Sequence, residues 1–123
     1  MAKISGINMS VQRDSFSVGS ICTIKYSYML QCDSLELENK MGYVAWCELW
    51  GKELLGDKLL GDAAFDVHNL KAGSNVRMSR EFTVPCAILN ERVGEDVLYI
   101  KVKAVSTLGV EIEAVSPDVR DAF

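Results

Sequence analysis

The chain has 123 residues, 49% of them hydrophobic and 24% charged, with 13 basic side chains against 17 acidic ones. That is enough for one globular domain, and the chain is too apolar and too evenly charged to be disordered. A net charge of −4 argues against phosphate-driven nucleic-acid binding, and no apolar run approaches the roughly 20 residues of a membrane-spanning helix.

The N-terminus, Met1-Ala2-Lys3-Ile4-Ser5-Gly6, lacks the apolar stretch of a secretory signal. The chain is therefore expected to be cytoplasmic or already trimmed, with the cytoplasm favoured. Alternation then governs the elements. From Lys3 to Arg13, Ile7, Met9 and Val11 alternate with Asn8, Ser10 and Gln12, which predicts a strand. From Ser20 to Cys32, one face carries Cys22, Ile24, Tyr26, Tyr28 and Leu30, and the other carries Thr23, Lys25 and Ser27. This is the pattern of a half-buried strand, with both tyrosines in the core.

A polar stretch from Cys32 to Gly42 reads as a long loop. The strand from Tyr43 to Lys52 is apolar on both faces, with Val44, Trp46 and Trp50 on one and Tyr43, Ala45, Cys47 and Leu49 on the other. Such a strand is expected to be central. The near-duplication Leu54-Leu55-Gly56-Asp57-Lys58 and Leu59-Leu60-Gly61-Asp62-Ala63 marks two chain reversals. A short strand is expected at Ala64 to Leu70, a turn at Lys71-Ala72-Gly73-Ser74, and a longer strand from Asn75 to Val84.

Pro85 suits the first position of a short helical turn running to Glu91. Asp96 to Val105 is again alternating, with Leu98, Ile100, Val102 and Ala104 inward and Lys101 and Lys103 outward. The turn Ser106-Thr107-Leu108-Gly109 leads to a last strand carrying Val110, Ile112 and Ala114, which Ser116-Pro117 ends. The expected fold is all-β: an antiparallel two-sheet sandwich of seven to eight strands over residues 1–117, with residues 118–123 as a tail.

The run Leu89, then Glu95-Asp96-Val97-Leu98-Tyr99-Ile100-Lys101-Val102-Lys103-Ala104-Val105, resembles the F-strand region of an immunoglobulin-like or fibronectin type III-like domain. The hairpin Ser106-Thr107-Leu108-Gly109 resembles their F–G turn. The resemblance implies a sandwich used for binding, adhesion or scaffolding, with the Tyr99 hydroxyl tied to the preceding corner. Lys101 stands where an immunoglobulin domain carries its second core cysteine, so the inter-sheet disulfide is not implied.

Candidate chemistry is sparse. Cys22, Cys32, Cys47 and Cys86 show no metal-ligand spacing, and they read as buried or half-buried thiols, with at least one disulfide as the alternative. Cys86, beside Pro85 at a helix start, is the one candidate nucleophile, with His68 its conceivable base; packing is the favoured role for it. Glu53, Asp57, Asp62 and Asp66 lack the spacing of a calcium loop and read as turn formers and solvated charges. No metal, no cofactor and no enzymatic activity are expected.

Trp46 and Trp50 share one face about 13 Å apart by strand rise. If that face is core they are two of its largest parts; if it is open they form, with Tyr43 nearby, a platform for a protein partner or for sugar rings. Arg80 falls in an apolar parity, and a salt bridge to Glu48 suits both residues. Leu54, Leu55, Leu59 and Leu60 exceed what one core absorbs. The partner surface is accordingly placed on Tyr43, Trp46, Trp50, Leu55 and Leu60. The expected function is a protein-protein interaction or assembly module, self-association included, with carbohydrate binding as the alternative.

Overall fold

Strand alternation carries through to the architecture. The computed structural model describes residues 3–13, 21–31, 42–53, 56–62, 66–69, 75–89 and 96–121. Over these residues the elements are β1 (Lys3–Arg13), β2 (Ile21–Gln31), β3 (Gly42–Gly51), β4 (Lys58–Asp62), β5 (Asp66–Asn69), β6 (Val76–Pro85), α1 (Cys86–Leu89), β7 (Asp96–Ser106), β8 (Glu111–Val115) and β9 (Val119–Asp121). One antiparallel sheet has the order β1-β2-β6; the other has β4-β3-β7-β8, with β5 also on β3 and β9 also on β7. The protein is an all-β sandwich, with one short helix among the described residues. The segment 118–123, expected as a tail, contributes β9.

The core lies between the sheets. β2 buries Cys22, Ile24, Tyr26, Tyr28 and Leu30; β3 meets it with Tyr43, Ala45, Cys47 and Leu49, and β7 with Leu98, Ile100, Val102 and Ala104. Each fully buried Ile or Leu contributes about 1.5–3 kcal/mol through removal from water. The rings of Tyr26 and Tyr28 are parallel, with centroids 6.4 Å apart, and Phe82 presents its edge to Tyr26 at 6.1 Å. Both tyrosines are core residues, as alternation predicts.

β1 reaches the core in two phases. Ser5 pairs with Met29 and Asn8 with Ser27, so Gly6 and Ile7 together oppose Tyr28. Gly6 adopts a φ of 59°, the left-handed geometry that such a bulge requires. Ile4 and Ile7 are therefore both buried although their parities differ. A comparable closure forms the β7–β8 hairpin: Gly109 N–H donates to Ser106 O at 2.9 Å, Gly109 has a φ of 81°, and the Ser106 hydroxyl accepts from Leu108 and Val110 N–H.

The cysteines depart from the buried-thiol expectation. Cys22 and Cys86 form a disulfide, their Cα atoms 5.3 Å apart. The β2–β6 register places Ile21 opposite Pro85 and Cys22 opposite Val84, which carries the first residue of α1 to the Cys22 side chain. Cys47 is a buried free thiol, pushed up to about 12 by burial and then by the neighbouring Glu48 charge. Cys32 lies outside the described residues.

Candidate binding surface

β3 resolves its two apolar faces in favour of the smaller side chains. Tyr43, Ala45, Cys47 and Leu49 point inward, whereas Trp46, Glu48 and Trp50 lie half-exposed on the outer face of the larger sheet. The cause is polar: an indole N–H needs an acceptor, and Glu48 shares the tryptophans' parity. Trp46 Nε1 donates to Glu48 Oε2 at 3.3 Å and Trp50 Nε1 to Glu48 Oε1 at 3.1 Å. A carboxylate at the centre of a face is costly to bury, so both rings go out with it.

The neighbouring strand completes the arrangement. Register sets Lys103 beside Trp46, Lys101 beside Glu48 and Tyr99 beside Trp50. Lys103 Nζ lies 3.4 Å from Glu48 Oε1, and Lys101 Nζ lies 4.5 Å from the Trp50 ring centroid. Burial pulls the Glu48 carboxyl upward, but hydrogen bonds from Trp50, Trp46 and Lys103, with the Lys103 charge, outweigh it and hold it below its usual value.

At one end of this face the Tyr99 hydroxyl bonds Asp57 Oδ2 at 2.5 Å. Its phenol is pushed up to about 12, first by burial, then by that bond and by the charges of Asp57 and Asp118. The tyrosine thus ties β7 to the segment between β3 and β4. The corner that precedes Tyr99, to which the resemblance ties its hydroxyl, lies outside the described residues. Lys52 joins the same end through a 2.8 Å salt bridge to Asp118. At the other end, a depression of about 330 Å³ opens beside Trp46, rimmed by Lys103, Glu111 and Glu113.

The sequence-derived surface residues separate accordingly. Trp46 and Trp50 share the outer face. Tyr43 does not join them: it is 2% exposed and packs on the inner face. Leu60 packs against the core, while Leu59, opposite Trp50, is 47% exposed, because the β3–β4 ladder slips by one residue between Leu49 and Trp50. Leu55 lies outside the described residues. The slip also leaves Gly61 within β4, so the second Gly-Asp step is strand and not a reversal.

The Glu48–Arg80 bridge does not form: Glu48 faces outward on the larger sheet, while Arg80 is exposed on β6, opposite Tyr26 in the other sheet. Cys86, expected as the only candidate nucleophile, has no thiol once joined to Cys22. The signal that the sequence offered was Glu48 itself, two residues from each tryptophan and in their parity. Lys101 and Lys103 repeat it on the strand alongside.

No protein-family model matches the chain, and no curated protein does. Among solved structures it is similar to a putative ApaA protein from Bordetella pertussis at 8% identity, covering 99% of this chain and 94% of that one, with a TM-score of 0.48. It is also similar to the sporulation control protein Spo0M from Bacillus subtilis, at 10% identity and a TM-score of 0.49, covering 97% of this chain and 47% of that one. A DUF3823 family protein from Bacteroides ovatus aligns at 12% identity and a TM-score of 0.46, covering 98% and 55% of the two chains. These likenesses assign neither family nor activity. Among the described residues, no helix is long and apolar enough to cross a membrane.

Proposed function

We propose that the protein is a non-enzymatic, immunoglobulin-like binding module, and that the outer face of β3 and β7 engages a protein partner through a basic side chain. The strand order supports the immunoglobulin-like part of this reading: β1, β2 and β6 take the places of strands A, B and E, and β3, β7 and β8 those of C, F and G. The observation that carries the function is the holding of Trp46 and Trp50 on a solvent-facing strand by a single carboxylate. Rings fixed before binding lose little rotamer freedom on contact, and tryptophan is enriched among the residues that anchor protein interfaces.

The chemistry of the partner follows from the depression beside Trp46. Its rim carries Glu111 and Glu113 against the one cation Lys103, whose charge Glu48 already engages at 3.4 Å. The indole and the two glutamates therefore suit an arginine or lysine, held by cation–π contact and by charge. The net charge of −4 favours the same partner at longer range. The sugar platform is less well supported, since Lys101 lies over the Trp50 ring and Glu48 takes both indole N–H donors. A buried disulfide belongs to oxidising compartments more than to the cytoplasm, and we place the protein there.

The test is a fluorescence titration of the full chain with short peptides bearing one arginine, their arginine-to-glutamate counterparts, and a panel of oligosaccharides. Saturable response to the arginine peptides alone, lost in Trp46→Ala and weakened in Glu111→Gln/Glu113→Gln, is the expected result. A response to oligosaccharides alone assigns the face to sugars, and silence to all three sinks the reading.

A further inference from the structure

The smaller sheet ends on β6, and among the described residues nothing pairs with the outer edge of that strand. An open strand edge is a template for another strand. The sequence along it, Val76-Arg77-Met78-Ser79-Arg80-Glu81-Phe82, is self-complementary about Ser79. We infer that β6 pairs antiparallel with β6 of a second copy, on a two-fold axis through Ser79, joining the two small sheets into one.

The register follows from charge. With the axis at Ser79, Arg77 opposes the partner's Glu81 and Glu81 opposes the partner's Arg77, on the outer face where all of these residues are exposed. On the inner face Val76 opposes the partner's Phe82, and Phe82 opposes the partner's Val76. Opposite charges and aromatic–β-branched pairs are the favourable cross-strand combinations.

Neighbouring registers fail. Axes at Arg77, Arg80 or Glu81 set a charge against its own copy, and an axis at Met78 leaves Arg77 facing serine. Arg80, which departs from the apolar pattern, opposes the partner's Met78 in the favoured register. Its aliphatic stem can lie along that side chain while the guanidinium reaches the sheet edge. An inward-facing charge discourages indiscriminate edge pairing, so Arg80 here selects for one partner and one alignment. Pro85 and α1 lie beyond the paired residues. This edge belongs to the sheet opposite the tryptophan face, so the dimer stands or falls independently of the proposed function.

Sedimentation velocity of the full chain over a concentration series tests it. A monomer–dimer equilibrium weakened by salt is expected. Arg77→Glu and Glu81→Arg each place like charges at two symmetric positions and weaken the dimer at least about tenfold. The double variant Arg77→Glu/Glu81→Arg restores it, which no general loss of folding can mimic. Ser79→Cys gives an independent reading: mild oxidation links two copies covalently, and the wild-type chain stays unlinked. A monomer at every concentration, or a dimer indifferent to the single reversals, overturns the inference. So does failure of the double variant to recover.

Discussion

The ammonium of Lys101 lies 4.5 Å from the centre of the Trp50 ring, on the side of the sheet that faces solvent. A cation over an indole at this distance contributes about 0.5–1 kcal/mol at an exposed site, and it also shields the ring. Lys101→Ala should therefore raise quencher access to tryptophan and cost about 0.5–1 kcal/mol of unfolding free energy. Acrylamide quenching and urea titration on the same sample check both. Unchanged quenching would mean that the lysine covers nothing.

Glu48 joins both indoles to Lys103. Glu48→Ala should release the two rings together and cost about 1–2 kcal/mol, below the usual range for charge-assisted hydrogen bonds to buried groups because the site is partly open to water. Its carboxyl is held below the ordinary value in the folded state. The stability it contributes is thus present above the ordinary carboxylate pKa and is lost as pH falls through the lowered one. Tryptophan emission followed downward in pH should show one transition below the usual carboxylate range, absent from Glu48→Ala.

The two faces of β3 differ in what they carry. Tyr43→Ala opens a cavity in the core and should cost about 3–5 kcal/mol, the range for deleting a buried aromatic ring. Trp46→Ala, a larger truncation on the outer face, should cost less. Chemical denaturation of the two variants ranks them, and the reverse order would place the tryptophans inside.

The Cys22–Cys86 disulfide closes a sequence separation of 64 residues. Chain-entropy arguments assign a loop of that length about 4 kcal/mol of stabilisation through the unfolded state. Cys22→Ser/Cys86→Ser should accordingly unfold at markedly lower denaturant, and reductant should bring the wild-type chain to the same midpoint. Equal midpoints with and without reductant would contradict it.

Cys47 sets an alkaline limit. Its thiol is pushed up to about 12 in the folded protein, above its ordinary value near 9. The stability linked to it is intact below about 9 and is lost as pH rises toward 12, at about 1.4 kcal/mol per pH unit while only the unfolded thiol ionises. Tyr99, also raised to about 12, steepens the fall above pH 10. Cys47→Ala should flatten the first part of that curve in denaturation series run between pH 8 and 11.

How far the sequence spoke depended on contrast between the two sides of each strand. β2, β7 and β8 alternate between apolar and polar residues, and their inner faces follow directly from it. β3 is apolar on both sides, so alternation alone leaves its orientation open, and the deciding residue is the isolated Glu48 between the tryptophans. The partner of Cys22 was hidden for another reason. It depends on β6 running antiparallel beside β2, a relation between segments far apart in sequence that local pattern does not carry. Leu60, expected on the partner surface, packs against the core and leaves Leu59 outside through a one-residue slip in the ladder, which a reading by repeat cannot place.

Gly6 makes β1 a strand with two reading frames. Before it, even-numbered residues belong to the core; after it, odd-numbered ones do. The frame change rests on the backbone that Gly6 alone adopts easily, so a substitution here is the graver lesion and a deletion the milder one, since deletion brings Ile4 and Ile7 into step. With a side chain that resists the bulge, Ile4 and the group Ile7, Met9 and Val11 would compete for a single frame, and whichever lost would be turned to water along with every residue in step with it.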